Sequence, residues 1–290
     1  MKNDIDFEIY EKYINGDINF TNFCLKHNMS SYYMGKLLKE NGLKFRKNVL
    51  QETTVDDFFN NIDNEIKSYL LGFYVADGSI SQNNRLTISV AEKDIEIIYM
   101  FKNNISPHYK ITKIKSKENK KTGFISKPMC KISISSKEMC QRLRDLGIGE
   151  NKTYNMSFKL DIIPDNLFVH FIRGLFDGDG TVYCGVSEKK VKNKNDEIKV
   201  YKSLNCNWSI ISHNHKFIED LFYKIKNLYG IECNIINDKR GNKLLMINKK
   251  SDFIKWREIL YGNANYFLER KRIKYYNFDF SKKYSIFVKH

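Results

Sequence analysis

Two nonapeptides carry the residues best placed to do chemistry: Leu70-Leu71-Gly72-Phe73-Tyr74-Val75-Ala76-Asp77-Gly78 and Ile172-Arg173-Gly174-Leu175-Phe176-Asp177-Gly178-Asp179-Gly180. Each has small residues four apart, Gly72 with Ala76 and Gly174 with Gly178. On a helix these share a face, so two backbones can approach closely along it. Gly78 and Gly180 suit the left-handed turn that ends a helix. Asp77 and Asp179 would then stand side by side at one end of a helix pair. That is a costly place, because helix C-termini carry partial negative charge, and two unit charges about 5 Å apart repel by roughly 3 kcal/mol at an effective dielectric of about 20. A shared proton or a bound divalent cation would offset the cost. Hard oxygen ligands with open positions favour Mg²⁺, with Asp77, Asp179, Gly78 and Gly180 as the metal set. A metal held there beside a cationic surface can activate water and stabilise the phosphorus centre during strand cleavage. Taken singly, each Asp-Gly reads as a helix-terminal turn. Recurrence at matching places is what points to function.

The elements that must position these acids repeat. The pattern predicts a helix over 64–77, strands near 79–82, 85–91, 109–115 and 130–135, and helices near 94–104 and 137–146. It then predicts the same order again: a helix over 165–178, strands near 181–186, 203–212, 232–238 and 243–248, and helices near 215–229 and 251–261. A repeat of about 100 residues exceeds a solenoid unit and suits a duplicated half-domain with pseudo-twofold symmetry. Several strands alternate: Leu86, Ile88 and Val90 oppose Arg85, Thr87 and Ser89; Ile132 and Ile134 oppose Lys131, Ser133 and Ser135; Cys206, Trp208 and Ile210 oppose Asn205, Asn207 and Ser209. The polar sets have the chemistry that reads base edges and phosphates, although a solvated face would look alike. Two basic stretches add weight: residues 110–127 hold seven lysines, Lys113 and Lys115 among them, against one Glu, and residues 189–202 hold six.

Ahead of the repeat, residues 4–45 read as three short helices with helix-turn-helix spacing. The third, capped by Ser30 or Ser31, presents Tyr32, Tyr33, Lys36 and Lys39 for the major groove and keeps Met34, Leu37 and Leu38 for packing. The expected domains are 1–48 for this module, 49–61 for a linker, 62–160 for the first half and 161–290 for the second half with a tail.

Composition narrows the class. Forty-nine basic against 34 acidic residues leave a charge of +15 on 290 residues, which calls for a polyanionic partner such as nucleic acid. No apolar run approaches the roughly 18 residues that cross a bilayer, and Met1-Lys2-Asn3-Asp4 leads into no signal-like stretch, so no membrane association and a cytoplasmic location are expected. The six cysteines show no zinc-ligand spacing and read as buried thiols in a reducing compartment. His213-Asn214-His215 falls where a strand gives way to a helix, at the place of Ala91-Glu92-Lys93 in the first half, and reads as a junction. Asp177-Gly178-Asp179-Gly180 lacks the remaining ligands of a calcium loop. An intein would need a nucleophile at the start and an Asn at the end, which Met1 and His290 do not supply.

Both nonapeptides resemble the LAGLIDADG signature of homing endonucleases, over residues 62 to about 275 and in the arrangement with two motifs on one chain. The resemblance implies an α+β fold, with two αββαββα halves forming a saddle over DNA. It implies a monomer, and Asp77 and Asp179 as metal ligands at the scissile phosphates of a long, asymmetric double-stranded DNA site. Mg²⁺ would support cutting, Mn²⁺ would substitute, and Ca²⁺ would support binding without cutting. The similarity also implies a basic catalytic residue near the end of each half, which Lys152 and Lys271 fit, and a bacterial, phage or viral origin. Val75 stands where the family often has an acid; the second motif retains one, Asp177. The rival readings are a splicing maturase or a DNA-binding regulator on the same scaffold, and a nonspecific basic binder.

Overall fold

The computed structural model describes residues 5–46, 53–123, 125–192, 198–277 and 287–288. The chain divides into two units between Thr53 and Thr54.

The first unit contains helices α1 (Phe7–Asn15), α2 (Phe20–Lys26) and α3 (Ser31–Glu40). Each starts at a side chain that accepts from an otherwise unpaired helical N–H: Asp6 from Glu8 and Ile9, Asn19 from Asn22, and Ser30 from Tyr33. Tyr13, Phe23, Cys24, Met34 and Leu38 form its core, with the Tyr13 and Phe23 rings stacked at 4.8 Å. The α3 pattern divides as its sequence suggests. Met34 and Leu38 point inward, Leu37 is half-buried, and Tyr32, Tyr33, Lys36 and Lys39 are exposed.

The second unit is mixed helix and sheet. Helix α4 (Glu65–Asp77) leads into strands β1 (Gly78–Ser81) and β2 (Arg85–Ala91). Helix α5 (Ile95–Ile105), strands β3 (Thr112–Ile114) and β4 (Met129–Ser135), helix α6 (Lys137–Asp145) and the short helix α7 (Lys152–Asn155) follow. The order then recurs: α8 (Phe168–Asp179), β5 (Thr181–Lys192), β6 (Ile198–Ser212), α9 (His215–Tyr229), β7 (Asn234–Asn237), β8 (Lys243–Ile247), α10 (Lys250–Tyr261) and α11 (Glu269–Tyr276). The strands form two antiparallel sheets of matching order, β1-β2-β4-β3 and β5-β6-β8-β7, and β9 (Phe287–Val288) pairs with β6. Leu86, Ile88, Val90, Ile132, Ile134, Cys206, Trp208 and Ile210 line one continuous core with both motif helices. None of the six cysteines is bonded to another. Among the described residues no helix is long and apolar enough to cross a membrane.

Four expectations change. Residues 54–61, assigned to a linker, belong to the second unit: Phe58 and Phe59 are buried in its core, Val55 N donates to Ile105 O at 2.8 Å, and Thr54 Oγ1 lies 2.7 Å from Ser106 Oγ. The FF pair carries no periodicity of its own, so only tertiary contact reveals its role. Strands β5 and β6 run longer than expected because the hairpin continues through the basic stretch, of which residues 193–197 lie outside the described residues. Strand β3 is shorter, leaving the exposed lysines on either side of it in loops.

The fourth change concerns Gly78 and Gly180, which are extended rather than left-handed, with φ −73° at both. Their glycine requirement is steric. A Cβ would lie 2.1 Å from the Tyr74 ring at Gly78 and 2.0 Å from the Phe176 ring at Gly180, so the helix passes straight into a strand over the ring one turn back.

The contact between α4 and α8 is closer still. A Cβ on Gly72 would lie 2.0 Å from Phe171 O, and one on Gly174 would lie 2.0 Å from Tyr69 O. Both obstacles are backbone, which cannot rotate away. Gly174→Ala is therefore expected to destabilise the fold by about 1–3 kcal/mol or more, read as a lower urea midpoint. An unchanged midpoint would show that the helices do not touch there.

Candidate active site

Close packing of α4 and α8 brings their C-terminal ends together. Near that end the approach is Gly178 against Ala76, where a Cβ on Gly178 would sit 2.4 Å from Ala76 Cβ and 3.2 Å from Asp77 Oδ2. Asp77 therefore lies against the turn of α8 that ends in Asp179. Both carboxylates keep an exposed face. Among the described residues, no hydrogen bond from a side chain or a backbone N–H reaches either one.

Their protonation shows the strain of this placement. Loss of water on the protein side, followed by repulsion from Asp179, pushes Asp77 up to about 6, with Lys152 and Lys271 pulling the other way. Asp179 is also raised by loss of water and opposed by the same two lysines. The lysines reach the site by pseudo-symmetric routes. Lys152 enters on α7, and its ammonium donates to three successive carbonyls at the end of α4: Tyr74 O at 2.8 Å, Val75 O at 2.6 Å and Ala76 O at 2.6 Å. Lys271, on α11, donates to Phe176 O at 3.1 Å and to Gly180 O, over the Phe176 ring. Each cation thus caps the helix end where carbonyls lack partners and the dipole is negative. Burial lowers both to about 8, and the neighbouring carboxylates resist that shift.

The site residues expected from sequence are placed as follows. Gly72, Ala76, Gly174 and Gly178 line the helix contact, and Asp77, Asp179, Lys152 and Lys271 cluster at its end. Gly180 O accepts from Lys271, and Gly78 is paired opposite Ile88. On the sheets, Arg85, Ser135 and Asn205 are exposed, while Thr87, Ser89, Lys131, Ser133 and Asn207 are half-buried. Thr87 and Ser133 hydroxyls lie 2.9 Å apart across the strands. Lys113 and Lys115 are exposed, with Lys113 paired to Glu92 at 3.1 Å. Ser209 departs from expectation: it is buried between Thr181 and Met246 on the adjoining strands and offers no open hydroxyl.

Sequence reasoning passed over two features. Asp177 is a buried junction: Tyr261 OH donates to it at 2.5 Å, Leu268 N at 2.7 Å and Tyr69 OH at 2.9 Å, which ties α8 to α4 and to the segment before α11. Burial pushes it to about 6, against these three hydrogen bonds. Its counterpart in the first motif is the buried Val75. The second feature is a cavity of about 230 Å³ holding Asp179, Lys152 and His213. The register of β6 could have marked it, since His213, one residue past the strand's end, falls on the face that carries 207 and 211.

Asp77 and Asp179 suit a hard divalent cation: two carboxylates with no hydrogen-bond partner among the described residues, each with an open face, whose repulsion a cation would relieve. Among the described residues no group of three or more His, Cys, Asp or Glu side chains is placed to hold a metal ion together, so the rest of the coordination would come from backbone oxygen, water and substrate.

No family model matches the chain, and no curated protein does. The chain is similar to several solved structures. One is the homing endonuclease I-WcaI bound to its DNA recognition sequence, at 13% identity and TM-score 0.49, covering 75% of this chain and 91% of that one. Another is I-DmoI in complex with DNA and Mn, at 17% identity and TM-score 0.42, covering 69% and 98%. A third is full-length DUF199/WhiA from Thermatoga maritima, at 17% identity and TM-score 0.42, covering 77% of this chain and 64% of that one. The chain thus spans less than two thirds of that last protein. Similarity at this level assigns no role to any residue.

The raised Asp77 value predicts a pH signature. The folded chain holds this proton up to about pH 6, whereas an unfolded chain releases it near the ordinary 3.8. The group's contribution to stability is therefore greatest in acid and is lost as pH rises through that window. Asp77→Asn, measured in urea without divalent cations, should gain stability relative to the parent between pH 4 and 6 and hold that gain at higher pH. A difference independent of pH would remove the strained carboxylate.

Proposed function

We propose that this chain is a site-specific endonuclease of double-stranded DNA that acts as a monomer and uses a divalent cation, Mg²⁺ or Mn²⁺, held by Asp77 and Asp179. The observation that carries this reading is the meeting of two carboxylates, without hydrogen-bond partners among the described residues, at the end of two helices in glycine contact, flanked by the half-buried Lys152 and the buried Lys271. When bound, the cation would supply Lewis acidity at the scissile phosphate.

The chain's own residues do the rest. Lys152 and Lys271 fix the ends of α4 and α8, so the carboxylates keep their spacing, and their charge limits the repulsion between the acids. Arg85, Thr87, Ser89, Lys131, Ser133, Ser135, Asn205 and Asn207 face the duplex from the two sheets, with Lys113 and Lys115 on its backbone. Tyr32, Tyr33, Lys36 and Lys39 on α3 read a further part of the site as a helix in the major groove, which makes residues 5–46 a helix-turn-helix module.

A library of genomic duplexes incubated with the full chain should yield double-strand breaks at few sequences in Mg²⁺ or Mn²⁺, and binding without breaks in Ca²⁺. Asp77→Asn and Asp179→Asn should each lower cutting by about 100-fold or more while sparing affinity in Ca²⁺. Binding without breaks under every cation would favour the maturase or regulator reading instead. The α3 assignment has its own measurement. With Lys36 and Lys39 both changed to Ala, the dependence of log affinity on log salt should be shallower by about 1.8, at about 0.9 per phosphate contact. An unchanged slope would take α3 off the DNA.

A further inference from the structure

We infer that His213 is a hydrogen-bond ligand for the phosphate of one DNA strand only, so that the two pseudo-symmetric halves of the site are chemically unequal; this rests on the endonuclease reading above. Strand register fixes the comparison between the halves. One residue past each motif glycine, Ser79 lies opposite Thr87 and Thr181 lies opposite Ser209, which makes Thr87 and Ser209 equivalent. Four residues further on, the same face carries Ala91 in the first half and His213 in the second. One half ends its outward series in a methyl group, and the other in an imidazole.

The surroundings of His213 give it a task. It shares the cavity of about 230 Å³ with Asp179, Lys152, Ala76 and Ile211. A phosphate entering beside Asp179 needs donors, and Lys152 has none to spare: its three N–H bonds already go to Tyr74, Val75 and Ala76 carbonyls. The His213 side chain is exposed, and among the described residues no hydrogen bond holds it; its ring contact is Tyr154, at 5.5 Å between centroids. His215, two residues on, is by contrast tied to Gly241 O at 2.8 Å. An imidazole carries an N–H donor whether neutral or charged. Ala76 and Ile211 line the cavity beside the polar Thr153, Ser212 and Asn242, and an imidazole N–H donating to an anionic oxygen there makes a charge-assisted bond. On the pseudo-symmetric side the corresponding residues are Lys271, Asp77 and Ala91, and no imidazole stands at that position.

The test is strand-resolved cutting. A duplex recovered from the genomic library, with a different label on each strand, is cut in Mg²⁺ by the parent chain, His213→Ala and His213→Gln. His213→Ala should slow one strand by about 100-fold and leave the other within about twofold, so that a nicked duplex accumulates. His213→Gln, which keeps an N–H donor, should restore part of the lost rate, and thermal melting of both variants should match the parent because the side chain is exposed. Equal slowing of both strands, or no slowing, overturns the inference and leaves the endonuclease reading intact. A parent chain that cuts neither strand overturns that reading, and this inference falls with it.

Discussion

The structure depends on a contact between two helices whose backbones meet at glycines, Gly72 on one and Gly174 on the other. At Gly72 and Gly174 each backbone lies where the other would need a Cβ, and the obstacles are carbonyl oxygens rather than movable side chains. Such an approach fixes the helix pair in one register, because sliding by a residue would bring a side chain into a space that cannot hold it. Everything at the C-terminal end inherits that accuracy. The sheets are attached to the same helices through Gly78 and Gly180, whose lack of a side chain lets Tyr74 and Phe176 sit beneath the turn. One steric constraint therefore positions both the acids and the faces beside them.

Fixing the helices creates an electrostatic problem at their common end. Two carboxylates, two helix dipoles and a row of unpaired carbonyls all place negative charge together. Lys152 and Lys271 answer the carbonyl part directly and the carboxylate part at a distance. Their own lowered affinity for protons measures what their burial costs. Among the described residues the carboxylates remain without hydrogen bonds, and Asp77 remains well above the ordinary value. A site left in this condition binds a hard cation more readily than a fully neutralised one would, since the cation removes a repulsion that already exists.

Pseudo-symmetry holds for the chain path and fails at selected side chains. Asp177 stands where Val75 does, and it is built into a buried set with Tyr69, Tyr261 and the Leu268 amide; beside it Arg173 pairs with Glu65 at 2.8 Å across the helix contact. These bonds join the second motif to the first and to the chain's last helices, a duty that Val75 cannot share. His213 opposite Ala91 is a difference of another kind, open to solvent and beside the acids. The repeated chain path supplies the frame, and one difference between the halves lies in the core and the other on the exposed face beside the acids.

The sequence determined the parts that depend on local order and period. Repeated small-residue spacing marked the helix contact, alternation separated the inward faces of β2, β4 and β6, and the Ser30 cap set the start of α3, because each of these follows from neighbours a few residues apart. The tertiary structure alone decided what comes from distant segments. Phe58 and Phe59 look like linker until the core closes over them, Ser209 alternates correctly yet is covered by its strand neighbours, and the glycines after the motifs serve ring contacts rather than a left-handed turn. His213 follows the same logic: its string suggests only a junction, and its place beside Asp179 and Lys152 appears when β6, α7 and α8 are brought together. Chain order records which residues are adjacent, whereas packing between remote elements decides which donors are spent and which are left facing the site.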